Sequence, residues 1–174
     1  MDVTGMVTRY CGDERQFRSS SHREKVVEHL FLGELLRYLW VTGVDGVQVL
    51  KPEVDAAGYD VVLSLGRVVR HVQLKCSQVS GRTQSQLIHE SLASHASGCV
   101  IWLLLDEQLR FVGFRWFGGK PGKPLPPLTR YRRARHARAN AQGIKAERAH
   151  TWRVPKAAFE TVADTAGVVE KLFG

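Results

Sequence analysis

The sequence predicts an α/β domain followed by a basic C-terminal extension. Residues 59–65 and 68–74 are two apolar runs that flank a glycine-arginine pair, which predicts a hairpin of two strands. Residues 22–41 carry apolar side chains at helical spacing, and residues 99–105 form an unbroken apolar run typical of a strand buried on both faces. A helix, a hairpin and a buried strand within one chain place the protein in the α/β class.

Length and composition limit the class of protein. A chain of 174 residues with 44% apolar residues suggests one folded domain with a real core. No apolar run approaches the roughly 20 residues of a membrane span, and the first residues lack a signal-peptide core, so we expect a cytoplasmic protein without a membrane partner. The three cysteines include no CxxC pair, so neither a disulfide framework nor a structural zinc site is expected.

Four segments follow from the pattern along the chain. Residues 1–21 are a polar lead-in, 22–118 the core, 119–150 a basic Pro/Arg-rich arm, and 151–174 a helical segment that packs on the core. Within the core and arm we expect further elements, which are a strand at 47–50, a helix at 83–95, a strand at 109–117 and an Arg/Ala-rich helix at 131–141.

One acidic residue stands in the apolar stripe of the first predicted helix. With a step of about 100° per residue, Phe31, Leu32, Leu35, Leu36 and Leu39 fall within about 80° of Glu28. Glu28 is therefore expected to face the core, unless the stripe is centred elsewhere and Glu28 is a surface carboxylate. Glu34, near the edge of the stripe, is the alternative acid on this helix.

Positive charge is concentrated in the arm. Residues 120–148 contain nine Lys or Arg and one acid, and the rest of the chain is balanced, so this segment carries the whole net charge of +8. A neutral body with a basic segment indicates a polyanionic partner such as nucleic acid. The candidate contacts are Arg130, Arg132, Arg133, Arg135, Arg138 and Lys145.

Three polar residues interrupt the predicted hairpin. Asp60 stands in its first strand, and Gln73 and Lys75 stand two apart in the second, where strand geometry gives both side chains the same face. Carboxylate and amide oxygens are ligands for hard cations such as Mg²⁺ or Mn²⁺, and an ammonium can orient water or neutralise charge on a phosphate. With Glu28, these residues suit metal-dependent hydrolysis of a phosphodiester.

Each of these residues also has a simpler interpretation. Lys75 could reach solvent from a strand end, Gln73 could lie on an open sheet face, and Asp60 could cap the turn at Gly58. Asp55 is an alternative ligand to Asp60. Ser77, Gln84 and His89 could line the same cleft.

The pattern resembles the restriction-endonuclease-like PD-(D/E)xK nuclease superfamily. The helix with Glu28, the strand with Asp60, and Gln73-Leu74-Lys75 followed by helix and strand carry the resemblance, over residues 23–105. It implies a mixed-sheet core ordered helix, three strands, helix, strand, and magnesium-dependent cutting of DNA or sometimes RNA. Asp60 would be the motif aspartate and a metal ligand, Lys75 the motif lysine, and Glu28 the glutamate of the first helix.

Gln73 departs from the usual motif, which has Asp or Glu at this position. A QxK variant occurs in the Mrr-like branch, but the amide removes one negative charge and predicts weaker metal binding. The resemblance favours DNA over RNA and is compatible with a homodimer. Two alternatives stay open: a catalytically inactive nuclease-like module that binds nucleic acid or protein, and a small structural protein whose basic arm contacts RNA.

Overall fold

The computed structural model describes residues 20–53, 58–136 and 146–174. Two helices are present in these ranges, α1 (Ser20–Val41) and α2 (Thr165–Phe173). The strands are β1 (Gln48–Leu50), β2 (Val61–Leu65), β3 (Val68–Gln78), β4 (Ser85–His89), β5 (Gly98–Leu105), β6 (Phe111–Gly118), β7 (Arg132–Arg135), β8 (Glu147–Pro155) and β9 (Glu160–Val162).

The strands form two sheets. The larger has the order β1-β2-β3-β5-β6-β9 and is mixed, because β3 and β5 are parallel whereas the other neighbours are antiparallel. The smaller is antiparallel, in the order β4-β8-β7. The predicted α/β class with a mixed sheet is therefore confirmed at that level. No helix in the described ranges has the length and apolarity to cross a membrane.

The two helices cover one face of the six-stranded sheet. Val27, Phe31, Leu35 and Leu39 of α1 are buried against this face, since positions three and four apart share one side of a helix. Leu36 was expected to join them but is 39% exposed, because the buried stripe is narrower than predicted.

The three-stranded sheet covers the other face. Ile88 of β4 and Val154 of β8 pack with Val100 and Trp102 of β5 in a second apolar cluster. The molecule therefore has three layers: helices, a six-stranded sheet and a three-stranded sheet.

The predicted helix at residues 83–95 is wrong. The chain forms strand β4 and then a 3-10 turn, Glu90–Ser94. Ile88 and Leu92 are both buried, as helical spacing requires, but β4 pairs along its whole length with β8, about 65 residues later in the chain. Because this pairing gives β4 backbone hydrogen bonds on its β8 side, tertiary contacts outweigh the local helical pattern.

The arm and the C-terminal segment also differ from expectation. Residues 132–135 are strand β7 instead of a helix, and Trp152 lies in strand β8. The arm and this strand thus build most of the smaller sheet. Of the helical segment expected at residues 151–174, only α2 is a helix. Asp164 is its N-cap, and Leu172 is buried against the core. The lead-in up to residue 19 and positions 137–141 of the predicted arm helix lie outside the described residues.

A buried arginine ties β3 to the C-terminal helix. The Arg70 guanidinium donates hydrogen bonds to the carbonyl oxygens of Leu172 (2.8 Å), Lys171 (2.5 Å) and Gly119 (3.0 Å). It also lies over the Trp116 ring, 5.3 Å from its centroid. Since a cation at the C-terminal end of a helix is favourable, Arg70 stabilises α2 and fixes the strand that carries Gln73.

Candidate functional site

A cavity of about 740 Å³ lies where β3 continues past the end of β2. All four predicted site residues line it: Glu28, Asp60, Gln73 and Lys75. They come from α1, from the residue before β2 and from β3. The fold therefore brings together four residues that are separated by up to 47 positions in the sequence.

The cavity connects both faces of the large sheet. Gln73 and Lys75 pair in register with Val100 and Trp102, so they point towards the three-stranded sheet, whereas Glu28 belongs to the helical layer. The side chains can share one cavity because β2 begins only at Val61, which leaves the edge of β3 open beyond that point.

The hairpin pattern predicted that Asp60 stands inside the first strand. In the structure it lies just before β2, which begins at Val61. Its backbone N–H donates to the carbonyl of Val72 (2.9 Å), and its Oδ2 accepts a hydrogen bond from the Leu74 N–H (2.6 Å). The carboxylate thus continues the ladder where the strand itself ends, and the β3 backbone fixes its position.

Gln73 has a buried oxygen without a partner. The side chain is on the cavity wall and only 8% exposed, and its Oε1 has no hydrogen-bond partner among the described residues. An unpaired buried polar atom costs about 1–3 kcal/mol, and such atoms in native proteins call for an explanation. A buried oxygen without a donor, in a cavity that Asp60 also lines, fits a ligand for a hard cation.

Glu28 is buried and doubly ion-paired. It is 5% exposed, with Lys25 Nζ 2.9 Å from Oε2 and Lys51 Nζ 2.5 Å from Oε1. Burial raises the pKa of this carboxyl, but contacts with Lys51 and Lys25 outweigh that effect and lower the pKa. Glu28 is therefore ionised at neutral pH, and the two lysines already compensate its charge.

Of the two alternative acids, Glu34 is not in the cavity wall. Glu34 pairs with Arg37 (2.9 Å), and its Oε1 accepts a hydrogen bond from the hydroxyl of Thr165 on α2. Asp55 lies outside the described residues. The position of Glu28, and not that of Glu34, matches the candidate site.

Strand β4 forms the opposite wall. Ser85, Gln86 and Leu87 line the cavity, whereas Ser77, Gln84 and His89 do not. Ser77 Oγ accepts a hydrogen bond from Trp102 Nε1 (2.8 Å), and His89 caps the 3-10 turn that follows β4. Sequence reasoning missed this wall because it assigned the segment to a helix.

The cavity contains charges of both signs. Four acids and three lysines line it: Glu24, Glu28, Glu53, Asp60, Lys25, Lys51 and Lys75. In the part of the chain that the structure describes, no group of three or more His, Cys, Asp and Glu is arranged to hold a metal ion. Among the described residues, a cation at this site would therefore depend on two carboxylates at most, together with the Gln73 amide oxygen.

The predicted nucleic-acid contacts divide into three groups. Arg130, Arg132 and Arg135 are exposed. Arg133 stacks over Trp152, 4.4 Å from the ring centroid, and its Nη1 lies 3.8 Å from Glu90. The remaining two, Arg138 and Lys145, lie outside the described residues.

Arg153 is a basic residue at the cavity that the sequence did not single out. Its Nη1 donates a hydrogen bond to Ser85 Oγ (3.0 Å), and Ser85 is part of the cavity wall. No motif marks Arg153, since its position depends on the pairing of β4 with β8. Lys25 and Lys51 were not singled out either. Lys25 lies three residues before Glu28 on α1, so helical spacing could have identified it, whereas the contact of Lys51 with Glu28 depends on tertiary structure.

Comparison with family models, with curated proteins and with solved structures finds no match for the chain.

Proposed function

We propose that this protein is a metal-dependent nuclease that hydrolyses phosphodiester bonds in nucleic acid, with DNA as the expected substrate. The observation that carries this proposal is the buried Gln73 oxygen, which has no hydrogen-bond partner within residues 20–53, 58–136 and 146–174 and lies in a cavity that Asp60, Glu28 and Lys75 also line. An apolar side chain would be more favourable at this position in a purely structural protein. The unpaired oxygen therefore supports a ligand-binding role.

Asp60 and Gln73 would hold Mg²⁺ or Mn²⁺, with Glu28 as the expected third ligand. The ion when bound supplies Lewis-acid activation and neutralises negative charge on the phosphate. The Leu74 N–H holds the Asp60 carboxylate in a fixed orientation, so that this ligand is ordered in advance. Lys75 shares the face of Gln73, and its ammonium would contact the substrate phosphate or orient the attacking water.

A cleavage assay tests the proposal. Plasmid DNA is incubated with the wild-type protein and with Mg²⁺, Mn²⁺ or EDTA, beside Asp60→Asn and Lys75→Met. We expect cleavage by the wild type that requires metal, and loss of at least about 100-fold in either variant, because general acid–base and electrostatic groups contribute on this scale. Asp106→Asn is the matched control, since Asp106 pairs with Arg110 outside the cavity. Unchanged cleavage in both site variants would refute the assignment.

The products also report on assembly. If nicked circular plasmid accumulates first, one cavity cuts one strand at a time. If linear plasmid appears without a nicked intermediate, two cavities cut both strands together, as in a homodimer. Single-stranded DNA and RNA of the same sequence, tested in parallel, establish the substrate.

A second candidate function is a nuclease-like module that binds nucleic acid without cutting it. Two lysines already neutralise Glu28, and Gln73 carries no charge, so the site has less negative charge than a typical magnesium site. A calorimetric titration with Mn²⁺ separates the two functions. Heat of binding that disappears in Asp60→Asn supports the nuclease, and its absence in the wild type supports the module.

A further inference from the structure

Three residues of the smaller sheet lie in one line across its strands. Leu87 of β4 is in register with Arg153 of β8, and Arg153 is in register with Arg132 of β7. Residues directly opposite each other in antiparallel strands have their side chains on the same face. The line begins at the cavity, because Leu87 is part of its wall.

This face of the sheet points away from the core. The neighbouring line of residues contains Ile88, which is fully buried, and Trp152, which packs against the second apolar cluster. Since alternate residues of a strand point to opposite faces, Arg153 and Arg132 point outward, and both are exposed. We call these two residues the arginine row.

The charge of the row is available to a partner. The three strands of this sheet carry five arginines and one acid, Glu147. The guanidinium of Arg133, on the opposite face, is compensated by Glu90 and by the Trp152 ring. Arg153 instead donates a hydrogen bond to the neutral hydroxyl of Ser85. This contact places the positive charge of Arg153, which no acid among the described residues compensates, at the rim of the cavity.

The spacing suits a phosphodiester backbone. Arg153 and Arg132 lie on adjacent strands, so their backbones are about 4.8 Å apart. Arginine side chains on neighbouring strands can therefore contact the phosphates of successive nucleotides, and guanidinium groups bind phosphate in a two-pronged manner.

We propose that the arginine row binds the phosphodiester backbone on its path into the cavity, with Arg153 at the phosphate nearest the cavity and Arg132 at the next. This inference rests on the proposed function, because it takes nucleic acid as the partner and the cavity as the site of cleavage. It adds a direction for the substrate, which runs from the cavity across the outer face of the three-stranded sheet.

The test is the salt dependence of DNA binding in EDTA, where no metal-dependent cleavage takes place. A short fluorescein-labelled DNA duplex is titrated with protein between about 50 and 200 mM salt, and fluorescence anisotropy gives Kd. We compare the wild type with the double variant Arg132→Met/Arg153→Met. A plot of the logarithm of the association constant against the logarithm of salt concentration has a negative slope. In the double variant this slope is expected to become less negative by about 1 for each arginine, or about 2 in total.

The matched control is Arg37→Met/Arg110→Met. These two arginines are also exposed, and they line a separate groove between α1 and the β5–β6 turn. The control removes the same net charge, so it should leave the slope close to that of the wild type. Two single variants, Arg153→Met and Arg153→Lys, are measured in the same way. Arg153→Lys keeps the positive charge, so its salt slope should be closer to that of the wild type than the slope of Arg153→Met. Thermal unfolding of each variant confirms that the fold is retained.

The outcomes separate this inference from the proposed function. Equal slopes for the double variant and its control overturn the arginine row, even if the wild type cleaves DNA with metal. A reduced slope in the double variant alone supports the row, even if the wild type cleaves nothing. Absence of DNA binding by the wild type overturns the row.

Discussion

Replacing Gln73 should stabilise the protein and remove its affinity for metal. In Gln73→Met, a flexible apolar side chain of similar length takes the place of a buried amide whose oxygen has no partner. Removing an unpaired buried polar atom is worth about 1–3 kcal/mol. We therefore expect the free energy of unfolding to rise by about 2 kcal/mol in EDTA.

For a chain of 174 residues, a gain of about 2 kcal/mol raises Tm by roughly 6 °C, since each kcal/mol shifts Tm by about 2–4 °C. Metal should stabilise only the wild type. At a Mn²⁺ concentration of about 100 times Kd, binding stabilises the wild type by about 2.7 kcal/mol, whereas Gln73→Met should show no such shift. Urea denaturation and thermal unfolding, with EDTA or Mn²⁺, measure both effects.

Gln86→Met is the matched control for this prediction. Gln86 lines the same cavity, and the nitrogen of its side chain, not the oxygen, is buried with no hydrogen-bond partner in the described part of the chain. This variant should gain similar stability in EDTA but keep the Mn²⁺ shift. The reasoning is refuted if Gln73→Met is less stable than the wild type in EDTA, or if its Mn²⁺ shift equals that of the wild type.

Three further predictions concern charge and burial. Arg70→Ala should lower the free energy of unfolding by about 3–5 kcal/mol in urea denaturation, because three backbone carbonyls lose a charged donor. The control Arg110→Ala, at an exposed site, should change it by less than about 0.5 kcal/mol, and equal losses in the two variants would contradict the role of Arg70. The folded state lowers the pKa of Glu28, so its ionised form adds stability that is present above the ordinary pKa of 4.5 and is lost as pH falls through the lower folded value. Urea midpoints of Glu28→Gln should accordingly vary less with pH below about 4.5 than those of the wild type, and identical acid limbs would argue against these contacts. Burial raises the pKa of Cys99 to about 12, so this thiol should not react with maleimide in the folded state. In a variant with Cys99 as the sole cysteine, labelling at neutral pH should therefore proceed at the rate of global unfolding, and faster labelling would show that local opening exposes the thiol.

Much of the candidate site could be predicted because it depends on local periodicity. The 3.6-residue period of α1 placed Glu28 on the buried face, and the two-residue period of β3 placed Gln73 and Lys75 on one face. The boundaries of α1 and β5 follow from the same short-range patterns to within two residues, whereas β3 continues to Gln78, four residues beyond its predicted apolar run. These features need only the geometry of one element, which its own residues encode.

Long-range pairing decided the rest. The segment of residues 85–89 became a strand because all five of its residues pair in register with β8, and a local pattern cannot reveal that partner. The same pairing brought Arg153 to Ser85, and the ion pair between Lys51 and Glu28 joins residues from different elements. The sequence by itself determined which polar residues share a face. Only the tertiary structure decided that Gln73 Oε1 would be buried without a donor among the described residues and that Arg153 would bond to Ser85 of the cavity wall, because both depend on which distant strands meet near the open edge of β3.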